Sequence, residues 1–291
     1  MRARESRFTA DGALVLAALL FGVTFILVQD AIEDVTPTGY VTLRFVVGTV
    51  ALAPFALHIA RRNRQPAGLL VKVGAIAGGL LFVGYLTQTV GLQYTESSTS
   101  AFITGLYAIF TPVVEAVVRR RLPPPTVCGG IVVATVGLFL LTGAELGVGR
   151  GELLTLACAV SFAIWIVYQG AYANRLATIP FMTVQMAVVA GLSLPPTAAT
   201  GLGRLTALAL FAAVFTGIAC SAVALSLQLY GQRRVSPSRA ALLLLLEPVF
   251  AGMVGFAAGE RLGAVKLAGA AVILAGIAVA ELAPDRGAAA A

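Results

Sequence analysis

Residues 237–258 read PSRAALLLLLEPVFAGMVGFAA, an apolar stretch long enough to cross a hydrocarbon core of about 30 Å as a helix. The carboxyl group of Glu247 interrupts this stretch near its middle, directly after five leucines. Similar runs occupy most of the chain, and a membrane barrel would instead show short segments of alternating polarity. The pattern therefore predicts an all-α polytopic membrane protein.

The apolar runs number ten and fall into two sets of five. An odd number of spans in each half forces the second half to enter the membrane upside down relative to the first, which is the architecture of many secondary transporters. The predicted repeats are residues 1–144 and 145–291. The predicted spans are Gly12–Ile32, Pro37–Ala60, Leu69–Gly91, Ser98–Val118 and Thr126–Gly143 in the first repeat, and Leu153–Asn174, Ile179–Ala199, Leu205–Gly231, Pro237–Ala258 and Gly263–Leu282 in the second.

The composition excludes an ordinary soluble domain. Hydrophobic residues make up 59% of the chain and charged residues 11%, whereas a soluble domain has roughly 25% charged residues. The net charge of +7 does not indicate nucleic-acid binding, because most basic residues flank the spans on one side, as at Arg61, Arg62 and residues 119–121. The positive-inside rule then places both termini in the cytoplasm.

Sequence matches in the same order support an internal repeat. Pro37 aligns with Pro180, Thr111-Pro112-Val113 with Glu247-Pro248-Val249, and Arg121-Leu122 with Arg261-Leu262. The offset between partners drifts by a few residues, as changes in loop length would cause. We therefore expect spans one to four and six to nine to surround a central site, with spans five and ten at the periphery.

The chain resembles the EamA family of the drug/metabolite transporter superfamily over essentially its whole length. The resemblance is carried by Phe21-Gly22-Val23-Thr24-Phe25, Leu43-Arg44-Phe45, Gly91-Leu92-Gln93-Tyr94-Thr95, Leu246-Glu247-Pro248-Val249-Phe250 and Gly259-Glu260-Arg261. Family members usually carry Trp before the glycine of the first of these stretches, where this chain has Phe21. The resemblance implies two five-helix units and the export or exchange of small metabolites, amino acids among them, by alternating access.

Two charged residues within the spans are the strongest functional candidates. A charge inside a membrane span costs about 2.5–3.5 kcal/mol on insertion scales, and the repeat partner of Arg44 is Ala187, so the fold does not require a cation there. Arg44 is expected to face a substrate carboxylate or Glu247, or else to hold loop carbonyls at the interface. Glu247 is predicted to carry a proton, to pair with Arg44 or to bind a substrate amine; the alternative is a protonated carboxyl that only packs.

Two prolines occupy equivalent positions in the repeats. Pro112 and Pro248 each free the carbonyl four residues earlier, at Ala108 and Leu244. Because a freed carbonyl in a membrane needs a partner or a wet cavity, both prolines are predicted as hinges, with packing kinks as the alternative.

Uncharged polar and aromatic side chains within the spans complete the predicted site. Helical spacing places Tyr85 with Gln88, and Trp165 with Tyr168 and Gln169, on shared faces. The remaining candidates for substrate contact are Tyr107 and Gln228. Cys128, Cys158 and Cys220 show no pairing or metal-binding pattern, so no metal or other cofactor is predicted.

These features predict a secondary transporter that exports amino acids or similar amphipathic compounds. A substrate-driven facilitator is as compatible as a proton-coupled carrier. The alternatives are a nucleotide-sugar or sugar-phosphate carrier, which would favour more cations than Arg44 alone, and a membrane-embedded lipid-modifying enzyme, for which no hydrolase or zinc motif is present. The expected partners are a small-molecule substrate and the lipids of a prokaryotic inner membrane, with no nucleic acid, and the chain is expected to be a monomer or a homodimer.

Overall fold

The computed structural model describes residues 2–22, 25–62, 66–120, 122–143, 149–257 and 263–281. These residues form helices, apart from their connections and one isolated β-bridge between Val35 and Gly203. The helices are α1 (Arg2–Gly22), α2 (Phe25–Asp34), α3 (Pro37–Arg62), α4 (Ala67–Gly91), α5 (Ser97–Gly105), α6 (Tyr107–Arg119), α7 (Pro125–Thr142), α8 (Arg150–Tyr172), α9 (Thr178–Thr200), α10 (Ala207–Phe215), a π-helical segment (Thr216–Ala224), α11 (Leu225–Gly231), α12 (Pro237–Leu244), α13 (Glu247–Ala257) and α14 (Ala264–Glu281).

Eight helical stretches within the described part of the chain are long and apolar enough to cross a membrane. They are Pro37–Arg62, Ala67–Gly91, Ser98–Arg119, Pro125–Thr142, Arg150–Tyr172, Thr178–Thr200, Ala207–Gly231 and Pro237–Val254. The first predicted span falls on α1 and α2, and the last on α14, whose stretch Ala264–Ala280 is a shorter apolar helix. The all-helical, multi-pass class is confirmed, while the count of ten spans and the side of the termini remain predictions. The predicted boundary between the repeats, Thr24 and residues 259–261 lie outside the described residues.

A close helix crossing joins α7 to α14, the fifth predicted spans of the two repeats. A Cβ on Gly130 would lie 2.5 Å from the carbonyl oxygen of Gly276, and one on Gly137 would lie 2.7 Å from that of Gly269. The contacts run in opposite directions along the two helices, so the helices are antiparallel. Small residues at such a crossing let two backbones approach closely, which is a principal source of helix packing in lipid.

The second predicted spans of the two repeats, α3 and α9, also pack antiparallel. The hydroxyl oxygens of Thr38 and Thr200 are 2.9 Å apart, and those of Thr42 and Thr197 are 2.8 Å apart. Two halves of opposite orientation would place equivalent helices antiparallel, as α3 and α9 are.

Several predicted spans are broken within the bundle. Leu106 separates α5 from α6 and donates its amide to the carbonyl oxygen of Ile103 at 3.1 Å. Leu245 and Leu246 separate α12 from α13 with the same tight turn, bonding to Leu242 and Leu243. The eighth predicted span is interrupted by the π-helical segment, a feature that is frequent at functional sites.

Replacing Gly137 with alanine tests the α7–α14 crossing. The new methyl group would lie 2.6 Å from the backbone nitrogen of Ile273, so we expect a destabilisation of about 1–3 kcal/mol from overpacking. Thermal unfolding in detergent measures the effect. The matched control is Gly129→Ala on the same helix, where a Cβ meets nothing within 4 Å. Equal melting temperatures for the two variants would contradict the close crossing.

Candidate transport cavity

A cavity lies between the two halves of the chain, beside the breaks in the helices. Its volume is ≈ 80 Å³, which leaves room for several water molecules because one water needs about 10–15 Å³. The wall is mostly apolar and aromatic, with a few polar side chains, as is usual for a small-molecule site. The lining residues are Phe21, Val28, Arg44, Leu81, Tyr85, Gln88, Thr89, Leu92, Thr104, Tyr107, Phe162, Trp165, Ile166, Leu225, Gln228, Leu244 and Glu247.

The guanidinium group of Arg44 is buried in this wall, with 6% of the residue exposed. Its Nε donates to the Oγ of Ser221 at 2.9 Å, and its Nη2 donates to the hydroxyl of Tyr85 at 3.3 Å. The guanidinium carbon also lies 4.6 Å from the centre of the Tyr85 ring, a distance typical of a cation–π contact. Since a guanidinium has five N–H donors, Arg44 keeps donors that no side chain in the described part of the chain engages.

The position of Arg44 is set by contact between α3 and the π-helical segment. Tyr40, Arg44 and Gly48 follow one another at four-residue spacing, which places them on one face of α3. The Tyr40 hydroxyl lies 2.9 Å from that of Thr216, and a Cβ on Gly48 would lie 3.0 Å from the carbonyl oxygen of Gly217. The second half of the chain thus holds the arginine of the first half.

Aromatic rings form one continuous wall behind Arg44. The ring of Tyr85 meets Phe45 edge-on at 4.9 Å and Phe162 at 5.3 Å, and Phe162 lies 6.2 Å from Trp165. The indole Nε1 of Trp165 donates to Oε1 of Gln185 at 2.7 Å. Gln185 belongs to α9, which contributes none of the described lining residues but fixes the orientation of the indole.

Glu247 begins α13, directly after the break at Leu245 and Leu246. Its half-buried carboxyl lines the same cavity as Arg44. Within the described residues its carboxyl is in hydrogen-bond or ion-pair contact with neither Arg44 nor any other side chain, although the charge of Arg44 acts on it electrostatically. Of the alternatives left open by the sequence, a direct Arg44–Glu247 ion pair is therefore not seen in the described structure.

Neutral polar groups surround these two charges. Nε2 of Gln88 donates to the hydroxyl of Thr104 at 3.1 Å. Gln228 is 2% exposed, and its Nε2 has no hydrogen-bond partner among the described residues. Because an unmade hydrogen bond at a buried amide costs about 1–3 kcal/mol, Gln228 is well suited to donate to a bound molecule.

The structure brings together most of the sequence-predicted site residues. Arg44, Tyr85, Gln88, Tyr107, Trp165, Gln228 and Glu247 all line the cavity. Tyr168 and Gln169 do not line it. Tyr168 packs against Tyr172, with ring centres 5.4 Å apart, and Gln169 is buried against Gln232, donating to its Oε1 at 2.7 Å.

The two predicted hinges lie beside the helix breaks. Pro112 is inside α6, six residues after the break at Leu106, and Pro248 is the second residue of α13. Neither proline lines the cavity. Both remain predicted hinges.

Sequence reasoning did not identify Ser221 or Phe162. Phe162 lies three residues before Trp165, so helical spacing could have placed it on the same face. Ser221 gave no usable signal, because a small hydroxyl residue in an apolar run is common, and its role depends on a partner far away in the sequence. Groups of three or more His, Cys, Asp or Glu able to hold a metal ion are absent from the described residues.

Comparisons with known proteins agree with this architecture. The model of the EamA-like transporter family matches residues 9–143 and again residues 149–281. The chain therefore belongs to the EamA-like transporter family, and it is an integral, multi-pass membrane transporter.

Three curated relatives that match the chain are named as uncharacterized transporters. Two uncharacterized transporters of Archaeoglobus fulgidus are 29% identical over 279 residues (95% of this chain, 87% of the relative) and 26% identical over 284 residues (93% and 95%). The uncharacterized transporter YcxC of Bacillus subtilis is 26% identical over 162 residues, about half of each chain. One crystal structure shares the fold, with a TM-score of 0.77 and 22% identity over 92% of this chain and 95% of the other.

The hydrogen bond between Trp165 and Gln185 can be tested by substitution. Gln185→Met keeps the length of the side chain but leaves the buried indole N–H unpaired, which costs about 1–3 kcal/mol. We expect a lower melting temperature and a blue-shifted emission of Trp165, the single tryptophan of the chain. Thr183→Val is the control, since the Thr183 hydroxyl bonds only within α9. An unchanged emission spectrum in Gln185→Met would argue against this contact.

Proposed function

We propose that the protein is a secondary transporter that exports small zwitterionic metabolites, such as amino acids and similar amphipathic compounds, by alternating access. The observation that carries the proposal is that Arg44 and Glu247 line one cavity without pairing with each other. Arg44 keeps N–H donors that no described side chain engages, and the Glu247 carboxyl has no hydrogen-bond partner among the described residues, so both groups can bind a ligand that carries a carboxylate and an amine. The carboxylate of a zwitterion would meet Arg44, and its amine would meet Glu247.

The rest of the cavity fits the same class of substrate. The wall formed by Tyr85, Phe162 and Trp165 offers apolar surface to a substrate side chain. The Nε2 of Gln228 offers a further hydrogen bond to the backbone-like part of the substrate. Arg44 is the one cation among the described lining residues, which argues against a nucleotide-sugar or sugar-phosphate carrier, because a phosphate is best bound by several cations.

Alternating access would use the breaks in the helices. Pro112 and Pro248 would act as hinges in the equivalent helices α6 and α13. The halves, as inverted repeats with both termini in the cytoplasm of a prokaryotic cell, would rock about the cavity. Glu247 would bind a proton when the substrate amine leaves, which would couple export to the proton gradient.

The direct test uses purified protein in liposomes loaded with a mixture of amino acids, amines and common metabolites. Mass spectrometry follows which compounds leave, with and without a pH gradient. Selective efflux of unmodified zwitterions supports the proposal. Efflux of sugar phosphates instead, or a chemically altered product, would replace it with the carrier or the enzyme alternative.

Substitution of Glu247 tests proton coupling. Glu247→Gln keeps the size and polarity of the side chain but cannot exchange a proton, so the response of efflux to an imposed pH gradient should vanish while exchange of substrate across the membrane continues. Glu152→Gln is the control, since Glu152 is a carboxylate at the start of α8, away from the cavity. If efflux by folded Glu247→Gln still responds fully to the pH gradient, Glu247 does not carry the proton and only packs.

Substitution of Arg44 tests recognition of the carboxylate. Arg44→Gln should weaken the binding of an amino acid about 10- to 100-fold, because a hydrogen bond to a charged group contributes about 1.5–3 kcal/mol. The corresponding amine without the carboxylate serves as the internal control and should bind both proteins equally. Binding is measured by the quenching of Trp165 fluorescence. Equal losses for the acid and the amine would show that Arg44 only supports the fold.

A further inference from the structure

A buried polar cluster joins the two halves of the chain at the end of the bundle where α1 begins. The guanidinium of Arg239 reaches both carboxylate oxygens of Asp11, with Nε–Oδ1 at 3.4 Å and Nη2–Oδ2 at 3.2 Å. The Glu115 carboxylate accepts bonds from the backbone nitrogen of Ser238, at 3.0 Å, and from its hydroxyl. Two acidic residues of the first half, from α1 and α6, therefore hold the first turn of α12 in the second half.

Three members of this cluster are shielded from solvent, while the side chain of the fourth, Asp11, is 22% exposed. Glu115, Ser238 and Arg239 are 4%, 0% and 3% exposed, respectively. A buried ion pair contributes little net stability compared with apolar packing, and its documented uses are often to fix one arrangement against another. The cluster therefore suggests a switch between two arrangements of the helices.

Each helix in the cluster also reaches the transport cavity. α1 carries Asp11 and Phe21, α6 carries Glu115 and Tyr107, and α12 carries Arg239 and Leu244. At 1.5 Å per residue, the two positions on each helix are separated by about 8–15 Å. Movement of these helices at the cluster is thereby transmitted directly to the cavity wall.

Apolar residues pack around the cluster, and three of them, Leu14 of α1 and Ala240 and Leu243 of α12, lie between the cluster and the cavity along their helices. Ala10, Leu14, Val235, Ala240 and Leu243 form one buried group, and none of these described residues lines the cavity. Leu14 and Leu243 are buried in this arrangement, with 0% and 5% of each residue exposed. A path from the cavity to this end of the bundle would therefore require α12 to separate from α1 and α6.

We infer that Asp11, Glu115, Ser238 and Arg239 form a latch, which closes the cavity at the end where α1 begins and opens during each transport cycle. The inference rests on the proposed alternating access. When α12 moves away, water enters the gap and hydrates all four groups, so the latch can open without leaving a charge in a dry environment. The break at Leu245 and Leu246 lets α12 move relative to α13, which carries Glu247.

Thiol labelling beneath the latch tests the inference. A reporter cysteine replaces Leu243, which is 5% exposed, in a chain whose own cysteines, Cys128, Cys158 and Cys220, are changed to alanine. The labelling rate by a water-soluble maleimide is measured in detergent, where no substrate is needed. In the latch variant Ser238→Ala, which removes one hydroxyl, the rate should rise about 10- to 100-fold, the range given by the loss of one hydrogen bond to a charged carboxylate in a two-state equilibrium. Asp11→Asn should act in the same direction.

The matched control lies at the other end of the bundle. The hydroxyl of Thr206 donates to the Asp34 carboxylate at 3.0 Å, also between the two halves, and accepts from the amide of Ala209 as the N-cap of α10. Thr206→Val therefore removes a bond between the halves together with a helix cap. We expect this variant to label at the rate of the parent. A rate that does not rise in folded Ser238→Ala, or that rises equally in Thr206→Val, would overturn the latch. The cluster would then be a permanent contact that only stabilises the fold.

The labelling rates and the efflux from liposomes together test the latch and the proposed function separately. Selective labelling with no efflux from liposomes would leave the latch intact and reject the proposed substrates. Efflux of zwitterions together with unchanged labelling would reject the latch alone.

Discussion

A polypeptide in hydrocarbon must satisfy its backbone amides and carbonyls within itself, because no water is present to bond them. In this protein the constraint produces long helices, and the interruptions of these helices gather around the cavity. Thr104 and Tyr107 lie within two residues of the break at Leu106, and Leu244 and Glu247 flank the break at Leu245–Leu246. All four residues line the cavity. Irregular backbone in a membrane is tolerated where it borders a wet space. The helix breaks therefore expose polar backbone groups to the cavity, and they are also the points at which the helices can bend.

Contact between the two halves is responsible for both the scaffold and the site. The scaffold depends on close antiparallel crossings, in which the glycines of α7 and α14 bring backbones together. The site depends on the same kind of contact, since Ser221 of the second half orients Arg44 of the first. The cavity therefore has no counterpart within a single half, and movement of one half against the other changes the site itself. This property suits a carrier that must release what it binds.

The membrane class, the helical stretches and the charged and several polar residues of the cavity could be predicted from the sequence, while most of the apolar lining residues could not. Arg44 and Glu247 stood out because a charge in an apolar run is costly, and this cost is independent of the neighbours. Helical periodicity was less reliable: it grouped Trp165 with Tyr168 and Gln169, but only Trp165 lines the cavity. Periodicity predicts which residues share a face of a helix. It does not predict which part of that face is covered by another segment of the chain, as Gln232 covers Gln169.

The sequence by itself determined that the chain lies in a membrane, where its helices run and which side chains are too polar to lie against lipid. These properties follow from the transfer free energy of each segment, which is local. Only the tertiary structure decided that Arg44 is held by Ser221 and does not pair with Glu247, and that Asp11 and Glu115 meet the first turn of α12. Contacts of this kind join residues far apart in the chain, and they depend on how closely the helix backbones approach, which the order of residues in either helix does not specify.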